Sequence, residues 1–377
     1  MPGHPPSATL NPRRILVRGV NWLGDAVMTT PALRRLRERL PEAHIALLSP
    51  EKLGELWRHH PAVNEVLTFA AHESLRAVGG KLRAGDFELA LVLPNSPRSA
   101  LEVFLARIPQ RIGYARPWRN WLLTQTVATR PGHARMQKKS VNEIQKLVAA
   151  DLTHHASRLA PHTAAHQIHE YLHLAAALGA SREVLPPQLV VTPEEIQSAK
   201  AKFGLDQITV PLLALNPGAE YGPAKRWPAE SFIAAAREIQ QQMDCAWLIL
   251  GGTADLELAT RITNGITSHA SRITSNLAGQ TSLRELMAIL SQSRALLTND
   301  TGPMHVAAAL GTPVVVPFGS TSPELTGPGL PGGTRHRLLK SDAPCAPCFL
   351  RECPIDFRCM TGITVERVVA AVLSAIR

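Results

Sequence analysis

Three short polar segments of the chain carry side chains able to do chemistry. The first is Gly19-Val20-Asn21-Trp22-Leu23-Gly24-Asp25, directly after the apolar run Arg14–Arg18. Gly24 lets backbone approach a ligand closely, and Asp25 stands where a helix begins. A carboxylate there can act as a general base, taking the proton from an attacking hydroxyl within hydrogen-bond reach. It can equally cap the helix, which is worth ~1 kcal/mol. The second segment is Asn216-Pro217-Gly218-Ala219-Glu220-Tyr221-Gly222-Pro223-Ala224-Lys225-Arg226-Trp227-Pro228. Its glycines offer backbone N–H groups to an anion. Lys225 and Arg226 add positive charge suited to a diphosphate leaving group. The plainer alternative is a solvated loop whose Trp227-Pro228 packs a helix entry. Neither a P-loop nor a G-x-G-x-x-G pattern is present. The third segment is Thr298-Asn299-Asp300-Thr301-Gly302-Pro303-Met304-His305, where a strand opens into a helix. The free N–H groups and positive dipole end of such a helix suit a phosphate. Asp300 or Thr301 can also simply cap it. His305, one turn in, is either structural or a phosphate donor.

Two further clusters invite a metal reading. Four of the five cysteines crowd into Cys345-x2-Cys348-x4-Cys353-x5-Cys359. Thiolates at such spacing can ligate a structural zinc, although this is not the paired C-x2-C…C-x2-C of a zinc ribbon, and free or redox-labile thiols are the alternative. Cys245 stands alone beside an apolar strand as a small core residue. His162, His166, His169 and His173 fall on one face of a helix. With no carboxylate or thiol partner nearby in sequence, they read as a polar helix face.

The elements that must position these groups alternate between strand and helix. Arg14–Arg18, His44–Leu48 and Glu88–Leu93 read as strands, the last ending at Pro94-Asn95-Ser96; a helix with Pro31 near its start carries Leu33, Leu36 and Leu40 on one face. Pro131–Pro161 reads as an inserted, mobile segment, helical in part. Gln167–Leu178 reads as a helix ending at Gly179, and Ser181–Pro193 as an interdomain linker. The rhythm then restarts with strands at 212–215, 246–250, 295–298 and 314–316 and helices at 231–242, 282–291, 304–310 and 365–376. Continuous apolar strands alternating with helices indicate parallel sheets covered on both faces. The expected fold is α/β, with two doubly wound Rossmann-like domains, 13–180 and 188–377, facing a central cleft. The closing helix is free to pack back on the first domain.

Length and composition bound the rest. At 377 residues, 45% apolar and 19% charged, the chain suits two soluble domains. No apolar run approaches the ~20 residues that span a bilayer, and no secretory signal opens the chain, so an intracellular protein is expected. The net charge is +10. Residues 1–180 hold 23 Lys and Arg against 13 Asp and Glu, whereas residues 181–377 hold 17 of each, so the whole excess lies in the first half. That asymmetry suits an anionic partner: a phosphorylated substrate, an acidic membrane surface or nucleic acid. A solubilising surface is the plainer reading. With aromatics at 5% and no aromatic-rich single-strand motif, nucleic acid is the least favoured partner.

Together these segments resemble the ADP-heptose:lipopolysaccharide heptosyltransferases, glycosyltransferase family 9. The likeness rests on Gly24-Asp25-Ala26-Val27-Met28, on Pro217–Pro228 and on Asn299–His305. It runs from about Arg14 to the closing helix and is weakest between Pro131 and Pro161. The second phrase is nearer the type II branch than type I; another family 9 transferase with a type I or type III acceptor, or a non-catalytic nucleotide-sugar-binding module, is the alternative. The resemblance implies the GT-B fold and an inverting transfer of heptose from ADP-L-glycero-D-manno-heptose to the first heptose of the lipopolysaccharide inner core. It implies Asp25 as general base and Lys225 as the cation that neutralises the donor diphosphate. Donor contacts are implied for Gly218, Glu220, Tyr221, Arg226, Asn299, Asp300, Thr301, Gly302 and His305. Gly251, Gly252 and Thr281 are weaker carry-overs to the nucleotide pocket. Asn21, Trp22, Gly24 and Asn95 are assigned to the acceptor, a heptosyl-Kdo2-lipid A. No cofactor is implied. A cytoplasmic enzyme, peripheral on the anionic inner leaflet, would use arginines such as Arg34, Arg35, Arg37, Arg39, Arg111, Arg116, Arg119 and Arg130 to meet acceptor or membrane.

Overall fold

The computed structural model describes residues 11–134, 136–150, 163–267 and 273–377. The chain divides into two compact units, Met1–His133 with Gln167–Val190 and Ala134–His166 with Val191–Arg377. The sequence places all of 13–180 in one domain, but 134–166 groups with the second unit. The reason is local packing: Ile144 is buried with Cys345 and Cys348, Lys139 donates from its backbone N–H to the Cys348 carbonyl, and its ammonium reaches the Cys345 carbonyl at 3.1 Å.

The first unit holds six parallel strands: β1 (Arg14–Arg18), β2 (His44–Pro50), β3 (Glu65–Phe69), β4 (Leu89–Val92), β5 (Gln110–Tyr114) and β6 (Gln125–Val127). Their order is β3-β2-β1-β4-β5-β6. In the second unit, β7 (Leu212–Asn216), β8 (Ala246–Ile249), β9 (Thr274–Asn276), β10 (Ala295–Thr298), β11 (Val314–Phe318) and β12 (Arg337–Lys340) form a sheet ordered β12-β11-β10-β7-β8-β9. Both are doubly wound. The strand order reverses between β1 and β4, and again between β7 and β10, and a ligand of such a sheet sits beyond the strand ends at that reversal. The central strands are apolar because helices cover both faces: Ile15, Leu16 and Val17 in β1 and Leu213, Ala214 and Leu215 in β7 are wholly buried.

The helix after β1 runs from Leu23 to Arg39, so Pro31 lies inside it rather than near its start. Proline removes one N–H and orphans the carbonyl four residues back. Here that carbonyl belongs to Val27, and the Thr30 hydroxyl donates to it at 2.8 Å. The closing helix, Val365–Ile376, packs on Ala229–Gln242 and on the β10–β12 part of its own sheet. Its Val368, Val369 and Val372 join the core of Trp247 and Phe232. Among the described residues no helix is long and apolar enough to cross a membrane.

Candidate active site

The two strand-order reversals each gather a polar group, and they are best built separately. In the first unit β1 delivers Gly19–Asp25. Arg18, at the end of β1, is almost fully buried and pairs with buried Glu102 at 2.7 Å. Its guanidinium also donates to the Gly19 carbonyl and, at 2.8 Å, to Asn21 Oδ1. The loop is therefore anchored from below by a buried ion pair. Asn21 and Trp22 are exposed, and Asn95, after β4, is exposed at the same reversal.

Asp25 sits in the first helical turn, with Trp22 at the N-cap position and no side-chain cap bond. The capping alternative for Asp25 is thus not what the structure shows. Instead, Asp25 Oδ1 accepts from Gln167 Nε2 at 3.2 Å, and the same Gln167 amide nitrogen donates to the Tyr171 hydroxyl at 2.7 Å. Burial pushes the Tyr171 phenol well up, and the nearby Asp25 carboxylate adds to that shift. Gln167 and Tyr171 come from 142 and 146 residues further along, and only the folded chain brings them to Asp25.

In the second unit β7 and β10 deliver the two remaining segments side by side. Lys225 Nζ meets Asp300 Oδ2 at 2.6 Å, with both side chains largely buried. Asp300 also accepts from the Thr321 hydroxyl at 2.6 Å, and the Lys225 ammonium lies 4.9 Å from the Tyr221 ring centroid. Tyr221 is in turn fixed by its hydroxyl, which donates to the Phe349 carbonyl. Asn299 clamps the segments together: it accepts from the Trp227 N–H at 2.9 Å and donates to the Pro217 carbonyl at 2.7 Å. Thr301 holds the N-cap position of the Gly302–Ala309 helix without a side-chain cap bond, so neither Thr301 nor Asp300 caps it. His305 is buried in that helix, and its pKa is lowered to about 4. Burial is the main cause, and His166, Lys225 and His336 add to it against an opposing pull from Asp300. Its imidazole is therefore neutral near pH 7.

Asp255, which the sequence did not mark, belongs to the same end of the sheet. Its carboxylate accepts from the Gly252 N–H at 3.1 Å and fills the space beside Gly218 and Gly251. A side chain on Gly218 would lie 2.4 Å from Asp255 Oδ2. Arg226 is 4.0 Å from Asp255. Glu220 is exposed, while Thr281 is half-buried just before Ser282, which caps the Leu283–Gln292 helix.

The candidate metal clusters do not assemble. Cys345, Cys348, Cys353 and Cys359 are all free. Burial raises the Cys345 and Cys348 thiols and pushes Cys359 up to about 12, and the neighbouring thiols add to each rise. Among the described residues no group of three or more His, Cys, Asp or Glu is placed to hold a metal ion. The single histidine face is also absent. His162 lies outside the described residues; His166 precedes the Ile168–Ala176 helix and is buried against the Gly327 carbonyl; His173 stacks on Tyr114.

The chain can now be set beside known proteins. The family profile described as Glycosyltransferase family 9 (heptosyltransferase) matches residues 75–357. The lipooligosaccharide heptosyltransferase 2 of Haemophilus ducreyi is 32% identical over 326 residues, covering 84% of this chain and 86% of that protein. The lipopolysaccharide heptosyltransferase 2 of Salmonella typhimurium is 32% identical over 323 residues, at 84% and 85% coverage. Among solved structures, the Escherichia coli ADP-heptose LPS heptosyltransferase II superposes with a TM-score of 0.74 at 27% identity, covering 96% of this chain and 98% of that one. A family 9 glycosyltransferase from Veillonella parvula, at 21% identity and a TM-score of 0.77, shares the fold. The two doubly wound sheets are those of the GT-B fold that the sequence led one to expect. By sequence and by fold, the chain belongs to glycosyltransferase family 9, the heptosyltransferases.

Proposed function

We propose that the enzyme moves L-glycero-D-manno-heptose from ADP-heptose to the first heptose of the lipopolysaccharide inner core, with inversion at the anomeric carbon. The observation that carries this reading is the Lys225–Asp300 pair at 2.6 Å, held beside the open N-terminus of the Gly302–Ala309 helix at the β7/β10 reversal. The ammonium and the Gly302 N–H at the positive end of the helix together suit a nucleoside diphosphate, since Pro303 has no N–H and that of Met304 goes to the Thr301 carbonyl. Asp300, already paired with Lys225 and Thr321, then faces sugar or ribose hydroxyls rather than repelling the phosphates. Gly218, Glu220, Tyr221, Arg226, Gly251, Gly252 and Thr281 complete the donor side, and Asn21, Trp22, Gly24 and Asn95 the acceptor side.

In the reaction, the Asp25 carboxylate takes the proton of the acceptor hydroxyl. The hydroxyl oxygen attacks the anomeric carbon from the face opposite ADP, and the bond from that carbon to the diphosphate oxygen breaks. Lys225 and the positive end of the helix stabilise the charge left on ADP. Gln167 holds one Asp25 oxygen as the carboxylate accepts the proton. The cysteine segment supports the donor loop from behind, through the Phe349 carbonyl that holds Tyr221 and the Arg351 carbonyl that accepts from the Ala224 N–H. Such an enzyme works in the cytoplasm, at the inner leaflet where a lipid-borne acceptor lies.

The deciding experiment measures ADP release with ADP-heptose and a panel of truncated core glycolipids. Turnover only with the acceptor that ends in the first heptose is expected. Preference for a Kdo-terminated acceptor, for a more extended core, or for a donor carrying another nucleotide would replace this reading. Asp25→Ala should abolish turnover while the circular dichroism spectrum stays unchanged; near-normal turnover would remove Asp25 as the base.

A further inference from the structure

We propose that Phe104, Trp118 and Trp121, with the arginines around them, form a surface that docks the enzyme on an anionic lipid bilayer. The three aromatics are exposed by 38%, 86% and 69%, a large apolar commitment to water on a chain with only 17 aromatic residues. Phe104 and Trp121 pack edge to face with centroids 5.7 Å apart, so they present one patch. Trp118 stands three residues before Trp121 with φ at +65°, a backbone state that few non-glycine residues adopt. The neighbouring Arg119 is wholly buried and donates to the Pro94 carbonyl. The loop is thus pinned through Arg119 while Trp118 is turned outward.

The stretch of the first unit that carries this patch holds charge of one sign. Residues 103–127 contain no Asp or Glu and four Arg, of which Arg119 is wholly buried. Arg111 lies 5.5 Å from the Phe104 ring centroid, and Arg107 is exposed. Arg111 donates to the carbonyls of Ile108, Pro109 and Leu122, and Arg116 to the Ala115 carbonyl and the Thr129 hydroxyl. Partners of that kind hold a guanidinium in place and leave its positive charge standing. Of the first-helix arginines named from the sequence, Arg35 is by contrast neutralised, pairing with Glu38 and Glu183.

An exposed apolar patch marks a protein or a membrane contact. Arg107, Arg111 and Arg116 beside the aromatics, with no acidic residue in that stretch, call for a partner that is negative where it touches, as an anionic leaflet is. Tryptophan rings settle at the headgroup level with the polar edge wet, and arginine stems lie along the apolar surface with the charge in water. Each cation near such a leaflet strengthens binding about fivefold. Apolar insertion and basic charge together make the pair of signals that firm peripheral attachment takes. The inference deepens the proposed function and rests on it for the lipid-borne acceptor.

The test is co-sedimentation of the full chain with phosphatidylglycerol-containing vesicles and with pure phosphatidylcholine vesicles, beside turnover on a water-soluble acceptor. Binding to the anionic vesicles alone is expected, weakening as salt is raised. Trp118→Ser/Trp121→Ser should lower that partitioning about tenfold or more, on the scale of the lost apolar burial. Arg107→Glu should lower it as well. Both variants should keep wild-type turnover on the soluble acceptor, which also shows that they fold. Three results would overturn the surface: no binding of the wild type to anionic vesicles, undiminished binding by the double variant, or self-association or oligonucleotide binding that those substitutions abolish in place of vesicle binding. Failure of turnover on every heptose acceptor would instead strike the proposed function and leave the vesicle result readable.

Discussion

At the scale of single residues, Lys225 and Asp300 do two separable things. They satisfy each other in a largely buried place, and in the proposed reaction Lys225 meets the donor phosphates. Removing one partner of such a pair leaves the other charge uncompensated at a cost of ~3–5 kcal/mol, whereas replacing both often costs little. Lys225→Met alone should therefore lower both stability and turnover. The double variant Lys225→Met/Asp300→Asn should recover most of the stability and stay slow by ~100-fold or more, the usual loss when a charge-stabilising donor is removed. Urea unfolding and ADP release on the three proteins read the two quantities apart. If the double variant regained turnover along with stability, Lys225 would be a structural residue only.

At the scale of elements, glycine placement decides which loops can close on a donor. Gly218 and Gly252 lie at neighbouring strand ends, yet only Gly218 has no room: an added methyl would lie 2.4 Å from Asp255 Oδ2, against 3.9 Å at Gly252. Gly218→Ala must displace Asp255 and disturb its bond to the Gly252 N–H. Overpacking of this kind costs ~1–3 kcal/mol, so donor affinity should fall about tenfold, while Gly252→Ala should stay within about twofold. Calorimetric titration with ADP checks both; equal effects would mean that Asp255 does not shape the pocket. The same elements show what the sequence made legible. The β1, β2, β4, β7, β8, β10 and β11 strands announce themselves as unbroken apolar runs because helices bury both faces. The β3, β5, β6, β9 and β12 strands do not, since they are short, partly exposed and polar, as in Gln110-Arg111-Ile112-Gly113-Tyr114. Asp25, Lys225 and Asp300 stand out because each follows a legible strand. Gln167, Asp255 and Thr321 do not, because their roles exist only through contacts made by folding. The Gln167 segment returns to the first unit after the 134–166 excursion; the polar Pro131–Pro161 stretch reads as an insertion, but no local pattern says which unit it joins.

At the scale of the whole molecule, buried imidazoles set how the protein meets acid. His60, His305 and His336 all have their pKa lowered to about 4 from the usual 6.5. Burial leads in each case, with Arg34 adding to it at His60 and Arg335 and Arg337 at His336. The folded protein therefore keeps these rings neutral where the unfolded chain would protonate them. Between pH ~6.5 and ~4 the unfolded state binds more protons, so stability falls as pH falls through that window. Above it their full contribution is present, and below it they cause no further loss. Each imidazole contributes on the order of 1–3 kcal/mol across the window. His60 belongs to the first unit and the other two to the second, so both units should lose stability together. Urea midpoints at pH 7.5, 6 and 5 should decline steadily. His305→Asn should flatten the decline for the second unit while leaving the first unit's unchanged, with Trp57 in the first unit and Trp227 and Trp247 in the second as the buried fluorophores. Midpoints independent of pH across that range would show that these imidazoles ionise freely in the folded protein.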